Sequence, residues 1–330
     1  MRFPMRSLLS VATAAGLVVL GAAGPAAADS GDGDFTIKDP RIKESSGLAA
    51  SRAHPGIYWT HNDSDDGPYV YAVDSRTGET VARITLTGVG RPRDVEAISV
   101  GSDGNVYVGD IGDNLGGTWK NVWIYKFPEP ARLKDATVKA TQYVVKYADG
   151  PRNAEALMVH PKTGRLYIAS KKEGGGGLYE GPERLSSTGT NVFRRVDDVP
   201  WVTDGAFSPD GSKLALRGYF WAAEYDWKNG KLGARHGVSA PLMRQAESVT
   251  YTSDGEALLF GSEGVRSPVV RVAVAGGGKS PSGTGSSPSG GGADKGGDSG
   301  DGNRNLVYGA LAVVGAGAAW VGLKRRFRRG

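Results

Sequence analysis

The chain is predicted to be all-β, and three observations carry that reading. One hairpin unit recurs five times: a small or acidic residue, an apolar run, a Gly-bearing turn and a second apolar run. The copies open at Ser46, Glu96, Glu155, Asp204 and Glu247, at intervals of 43 to 59 residues. A lone apolar segment, Phe35-Thr36-Ile37, precedes the first copy, while the fifth copy lacks a fourth strand of its own. Repeats of this length with four strands each mark β-propeller blades, and closing the ring removes exposed sheet edges. The expectation is a five-bladed β-propeller closed by its N-terminal strand, followed by one C-terminal transmembrane helix.

Each blade is read the same way. The turns are Pro55-Gly56, Ser102-Asp103-Gly104, Lys162-Thr163-Gly164, Pro209-Asp210-Gly211 and Ser253-Asp254-Gly255. Such residues reverse a chain tightly because they accept turn conformations or bond their own backbone. Third strands follow at Tyr69 to Val73, Val122 to Tyr125, Gly177 to Tyr179, Ala222 to Tyr225 and Val269 to Val272. Fourth strands run Val81 to Leu86, Gln142 to Tyr147, Val192 to Val196 and Leu232 to Val238. The interval from Glu96 to Glu155 is the longest but too short for a sixth blade.

The two ends are read as targeting segments. Arg2 and Arg6 precede an apolar stretch from Leu8 to Gly21, and Ala26-Ala27-Ala28 supplies small residues for cleavage, so residues 1–28 read as a signal peptide. Residues 29–275 form the propeller ectodomain, and residues 276–304 are a Gly/Ser-rich linker with too little apolar content to fold. Residues 305–323 carry no charge and are long enough to span a bilayer; the basic tail 324–330 then stays inside. These segments place the protein in the cell membrane, with a single pass, an extracellular ectodomain and a cytoplasmic C-terminus.

Charge and composition narrow the chemistry. The formal net charge is +5, but seven of the 40 basic residues lie in the signal and the tail, leaving 33 against 35 acids. Nucleic acid is therefore not expected as a partner. The absence of cysteine excludes thiol catalysis, disulfides and thiolate metal sites. Gly174 to Gly177 lacks the Lys-Ser/Thr and helix of a phosphate loop, and no haem, flavin or nucleotide is expected.

Because a blade meanders, first-strand starts and second-strand ends share one face around the channel. That mouth collects Glu96, Glu155, Asp204 and Glu247, with His61, Lys171, Arg217 and Glu263 beside them; these are the ligand-binding candidates. Asp63, Asp65, Asp110, Asp113 and Asn114 are hard oxygen donors on loops, suited to calcium or to capping turns. Ring acids also pair readily with Lys171, Arg217 or backbone amides. Trp119, Trp221 and Tyr219 fall near the same mouth, where an aromatic face can stack on a sugar ring.

Several strings resemble a family of exported bacterial β-propeller proteins and, more distantly, esterase-like phytase propellers. They are Ser45-Ser46-Gly47-Leu48, Trp59-Thr60-His61-Asn62-Asp63-Ser64, Gly109-Asp110-Ile111-Gly112-Asp113-Asn114, Pro128-Glu129-Pro130 and Asn153-Ala154-Glu155-Ala156-Leu157. Relatives carry Asp-Trp-Glu-Asp where this chain has Asp94-Val95-Glu96-Ala97. The resemblance implies a propeller with a functionally loaded face.

Two functions fit these residues. One is a membrane-tethered module that binds an extracellular ligand or protein at an acidic, calcium-loaded mouth. The other is a hydrolase at the same face. It would be a phytase-like calcium-dependent phosphoesterase, or a glycosidase with two carboxylates about 5–5.5 or 6.5–9.5 Å apart.

Overall fold

The computed structural model describes residues 33–64 and 66–274. The predicted signal peptide, linker, membrane helix and basic tail lie outside the described residues, as does Asp65. Among the described residues there are 21 strands and no helix, hence none long and apolar enough to cross a membrane.

Strand β1 (Phe35–Thr36) precedes a meander of β2 (Ser45–Ala50), β3 (Ile57–Asn62), β4 (Tyr69–Asp74) and β5 (Thr80–Thr87). A second meander comprises β6 (Val95–Val100), β7 (Asn105–Asp110), β8 (Val122–Pro128) and, after the short β9 (Ala136–Lys139), β10 (Thr141–Tyr147). The third is β11 (Ala154–Val159), β12 (Leu166–Ser170), β13 (Gly176–Glu180) and β14 (Thr190–Val199). The fourth is β15 (Asp204–Phe207), β16 (Lys213–Gly218), β17 (Trp221–Lys228) and β18 (Lys231–Val238). The last holds β19 (Ala246–Tyr251), β20 (Ala257–Ser262) and β21 (Pro268–Ala273).

Strand β1 completes this last sheet, pairing antiparallel with β21 through Phe35↔Val269 and Thr36↔Pro268. The first strand of each meander packs on the next in the cyclic order β2, β6, β11, β15, β19 and back to β2. Starts of these five strands therefore gather at one end of the cycle and their turns at the other.

The turns follow from their glycines. Gly56, Gly104, Gly164, Gly211 and Gly255 all have φ between +66° and +76°. A Cβ disfavours that left-handed region, so each hairpin needs glycine at this point.

Two features go beyond the repeat pattern. The longest interval holds β9, which leaves its own meander and pairs parallel with β5 through Ile84↔Ala136. Strand β10 likewise pairs parallel with β14 through Val144↔Thr190, fusing the second and third meanders into one eight-stranded sheet.

The core lies between neighbouring sheets. Trp59, fully buried, packs with Ile84, Val106 and Phe127, meeting Phe127 edge-on at 6.4 Å. Its indole Nε1 donates to Glu129 Oε1 at 2.8 Å, and the same oxygen accepts from Ser51 Oγ at 2.6 Å. One carboxylate thus satisfies two donors of the first meander from the second. Trp59→Ala should cost about 3–5 kcal/mol, because it opens a cavity and also strands part of Glu129. Urea unfolding of the variant checks this through a lower midpoint at unchanged slope.

Candidate functional site

Glu96, Glu155 and Glu247 each occupy the second position of an innermost strand. In all three the ladder slips at the acid. Val95 pairs with Asp110 but Ala97 with Gly109; Ala154 pairs with Ser170 but Ala156 with Ala169; Ala246 pairs with Ser262 but Ser248 with Gly261. The acid is the extra residue of a β-bulge, a device that re-aims a side chain out of the regular alternation. Strand β2 carries the same irregularity at Ser46-Gly47. Strand β15 does not: Asp204 pairs in register with Arg217.

The bulged acids converge. Glu155 Oε2 meets Lys171 Nζ at 3.0 Å, and Glu155 Oε1 accepts from Asn153 Nδ2 at 3.2 Å. Glu96 Oε2 accepts from Ser46 Oγ at 3.1 Å. Glu247 accepts from the Tyr219 hydroxyl and feels Lys171 and Asp63. Lys171 also lies 5.1 Å from the centre of the Tyr219 ring. Asp63 and Asp94 complete the group, with ligand oxygens of Asp63, Asp94 and Glu96 all within 4.8 Å of one another. Asn114 Nδ2 donates to Asp94 at 3.2 Å, and Asn153 Nδ2 reaches Asn114 Oδ1 at 3.4 Å, tying this trio to Glu155.

Gly112 lets these groups come so close. A Cβ there would stand 2.6 Å from Asp94 Oδ2 and 2.7 Å from Glu96 Cγ. Five buried carboxylates, Asp63, Asp94, Glu96, Glu155 and Glu247, thus share a hub with one ammonium, Lys171.

Electrostatics follow from that ratio. Burial raises Glu96 well above the usual carboxylate range, and Asp63, Glu155 and Asp94 push it the same way. Burial pushes Glu155 up to about 8 against the pull of Lys171, with Glu247 and Asp63 adding to the rise. Glu247 is raised by burial too, opposed by Lys171 and Tyr219. For Lys171, burial disfavours the charge, but Glu155, Glu247, Tyr219 and Glu96 together hold it well above its ordinary value.

Other sequence candidates have different work. Asp204 accepts from the Val249 and Gly205 amides at 2.8 and 2.7 Å, and Arg217 Nη1 donates to the Ser248 and Gly261 carbonyls at 2.6 and 2.7 Å. Both stitch adjacent strands, and both also act electrostatically on Glu247 at the side of the hub. Glu263 accepts from Gln245 Nε2 at 2.7 Å.

In the Asp110–Asn114 loop the carboxylates hold the backbone in place. Asp110 accepts from the Asp94 and Arg93 amides, each at 3.0 Å, and from the Tyr125 hydroxyl at 2.5 Å. Asp113 accepts from the Trp119 amide at 2.6 Å. Asn114 reaches the hub, but as a donor to Asp94. His61 is buried and, with burial holding its pKa down to about 4, neutral at ordinary pH. Trp119 stacks on Arg93, whose guanidinium lies 4.0 Å from its ring and 3.6 Å from that of Trp123.

Asp94 was not among the sequence candidates, although it precedes β6 within the string quoted for the resemblance. Tyr219 was singled out only as a stacking residue; its hydroxyl proves equally engaged.

Fold and site define an all-β protein of repeated meanders with a buried acidic hub. No family model matches the chain, and no curated protein sequence matches it. Among solved structures, a PQQ-bound aldose sugar dehydrogenase from Streptomyces coelicolor is 11% identical over 72% of this chain and 96% of its own, with a TM-score of 0.44. A gluconolactonase from Xanthomonas campestris is 15% identical over 74% and 80%, at 0.47. Hydrazine synthase from Kuenenia stuttgartiensis is 14% identical over 66% and 61%, at 0.39. Likenesses of this size transfer no residue and no activity.

Two outcomes test the hub. Glu155 binds its proton more tightly folded than unfolded, so its own contribution to stability is full below about pH 4.5 and is lost as pH rises toward 8. Glu155→Gln should flatten that fall in chelator-treated protein, as read by urea midpoints across the range. Gly112→Ala should cost about 1–3 kcal/mol through forced displacement of Asp94 and Glu96, visible as a lower melting temperature.

Proposed function

We propose that this chain is a five-bladed β-propeller, closed by β1, that binds a hydroxyl-rich ligand at its acidic channel mouth. The observation that carries this is the convergence of Glu96, Glu155 and Glu247, each on its own bulge, upon Lys171. A bulge repeated at the same position in three strands places acids where folding alone does not need them. Tyr219 is a partly exposed member of the hub, so an arriving ligand meets its aromatic ring, with the Lys171 ammonium 5.1 Å from the ring centre. Trp201 packs edge-on against Tyr219 at 5.4 Å, and half-exposed Phe220 follows at 6.3 Å, extending an apolar wall beside the carboxylates. Such a wall with carboxylate acceptors below it suits a ring bearing several hydroxyls. Calcium is the cofactor of choice for the remaining negative charge. In this reading the protein is exported, tethered by the linker and anchored by the helix at residues 305–323, with the membrane and an extracellular ligand or protein as its partners.

A second reading is favoured by one observation. Glu155 keeps its proton to about pH 8 beside other carboxylates, the property of a general acid. It would give a glycoside hydrolase or a calcium-dependent phosphoesterase at the same face.

The full-length chain, titrated by calorimetry against a panel of monosaccharides, oligosaccharides and phosphomonoesters, separates these. Binding without turnover, lost in Lys171→Met at unchanged circular dichroism, is the expected result. Turnover abolished by Glu155→Gln would replace binding with catalysis. Capture that survives both substitutions would remove the hub from the function altogether.

A further inference from the structure

We infer that Asp63, Asp94 and Glu96 form a divalent-cation site of the calcium type, built across the junction of the first and second meanders. This deepens the hub reading above and rests on it. The three donors are buried and all oxygen, the set that calcium takes and that zinc, which favours nitrogen and sulfur, does not. Their ligand atoms lie within 4.8 Å of one another, a span that one ion held at about 2.3–2.6 Å from each oxygen can bridge. Gly112, whose missing Cβ makes room for Asp94 and Glu96 together, keeps the cradle open.

Acid clusters alone do not make a site, but a separate observation points to an occupant. Glu247, a residue 5% exposed whose carboxyl feels the charge of Asp63, has an Oε2 without a hydrogen-bond partner. His61 Nε2 is equally buried and equally without a partner. Its Nδ1 lies 3.2 Å from the Asn62 carbonyl, which only accepts, so Nδ1 carries the hydrogen and Nε2 is a bare acceptor. That nitrogen rests against Gly47, the neighbour of the Ser46 whose hydroxyl holds Glu96. Buried acceptors of this kind carry a desolvation cost unless something electropositive meets them. A dication among the three carboxylates cuts their net charge from three negative to one, while Lys171 pairs with Glu155.

The outer arrangement fits a metal site as well. Ser46 orients Glu96 and Asn114 orients Asp94, as outer partners orient metal-binding carboxylates. Asp110 donates nothing to the ion; it fixes the Arg93 and Asp94 amides and so sets where Asp94 begins.

The test uses the full-length chain after chelation, with calcium, magnesium and terbium as probes. Elemental analysis should find one calcium per chain. Melting temperature should rise roughly 3–6 °C for each tenfold increase in calcium beyond half-saturation. Terbium luminescence excited through tyrosine and tryptophan should be displaced by calcium. Glu96→Gln and Asp94→Asn should abolish these responses, and Ser46→Ala should weaken calcium about 10–100-fold with the fold intact. Asp110→Asn should lower stability but keep the calcium response. If Asp94→Asn does not fold, Ser46→Ala and Glu96→Gln decide. A wild-type chain indifferent to all three ions overturns the site, as does Glu96→Gln responding like wild type. A response lost only on substituting Asp110 or Asp113 overturns it too, and an equal response to magnesium overturns its calcium character. Calcium uptake without capture of any hydroxylated ligand retires the binding function and leaves the cation site. Capture undiminished in chelator does the reverse.

Discussion

Five buried carboxylates around a single ammonium are the constraint to which the rest of this structure answers. Removing a carboxylate from water is costly unless it is protonated, hydrogen-bonded or paired. Neighbours relieve these acids in part: Ser46 for Glu96, Lys171 and Asn153 for Glu155, Tyr219 for Glu247, Asn114 for Asp94. The relief is partial, and the raised pKa values of Glu96, Glu155 and Glu247 express what is left over. A scaffold selected for stability alone would fill this space with apolar side chains.

Much of the architecture was legible because a β-meander writes itself in short-range signals. Apolar runs alternate with glycine turns, and the five turn glycines sit where the chain needs positive φ. The role of Phe35 and Thr36 in the last sheet was legible too, since the fifth repeat lacked an outer strand. Strand β9 was not. Its four residues, Ala136–Lys139, alternate half-buried with exposed side chains, and only an edge supplied by β5 makes them a strand.

The site was legible to the level of which face, and partly to which residue. Glu96, Glu155, Glu247, Lys171 and Asp63 could be grouped from the sequence because strand starts and strand ends share a rim. The division between hub acids and structural acids was hidden. Asp204 stands at the same repeat position as Glu155, yet only the latter is lifted out by a bulge, and a bulge is a property of a strand pair rather than of a sequence. Asp110 and Asp113 have the composition of a cation loop. What composition does not show is the number of amide and hydroxyl donors folded onto them, chiefly from Arg93, Asp94, Trp119 and Tyr125.

The parallel pairings of β9 with β5 and of β10 with β14 divide the molecule mechanically. They couple the first three meanders through backbone hydrogen bonds, whereas the fourth and fifth sheets share no such ladder with their neighbours. Opening between sheets joined by packing and isolated hydrogen bonds such as those of Arg217 and Asp204 breaks fewer bonds than opening a ladder, so amide exchange should be slowest where the crossing strands run and faster beyond them. Lys171 and Glu155 stand on the stitched side of that divide and Tyr219 and Glu247 on the looser one. Thermal breathing of the fold is thus concentrated along the line where the two halves of the hub meet.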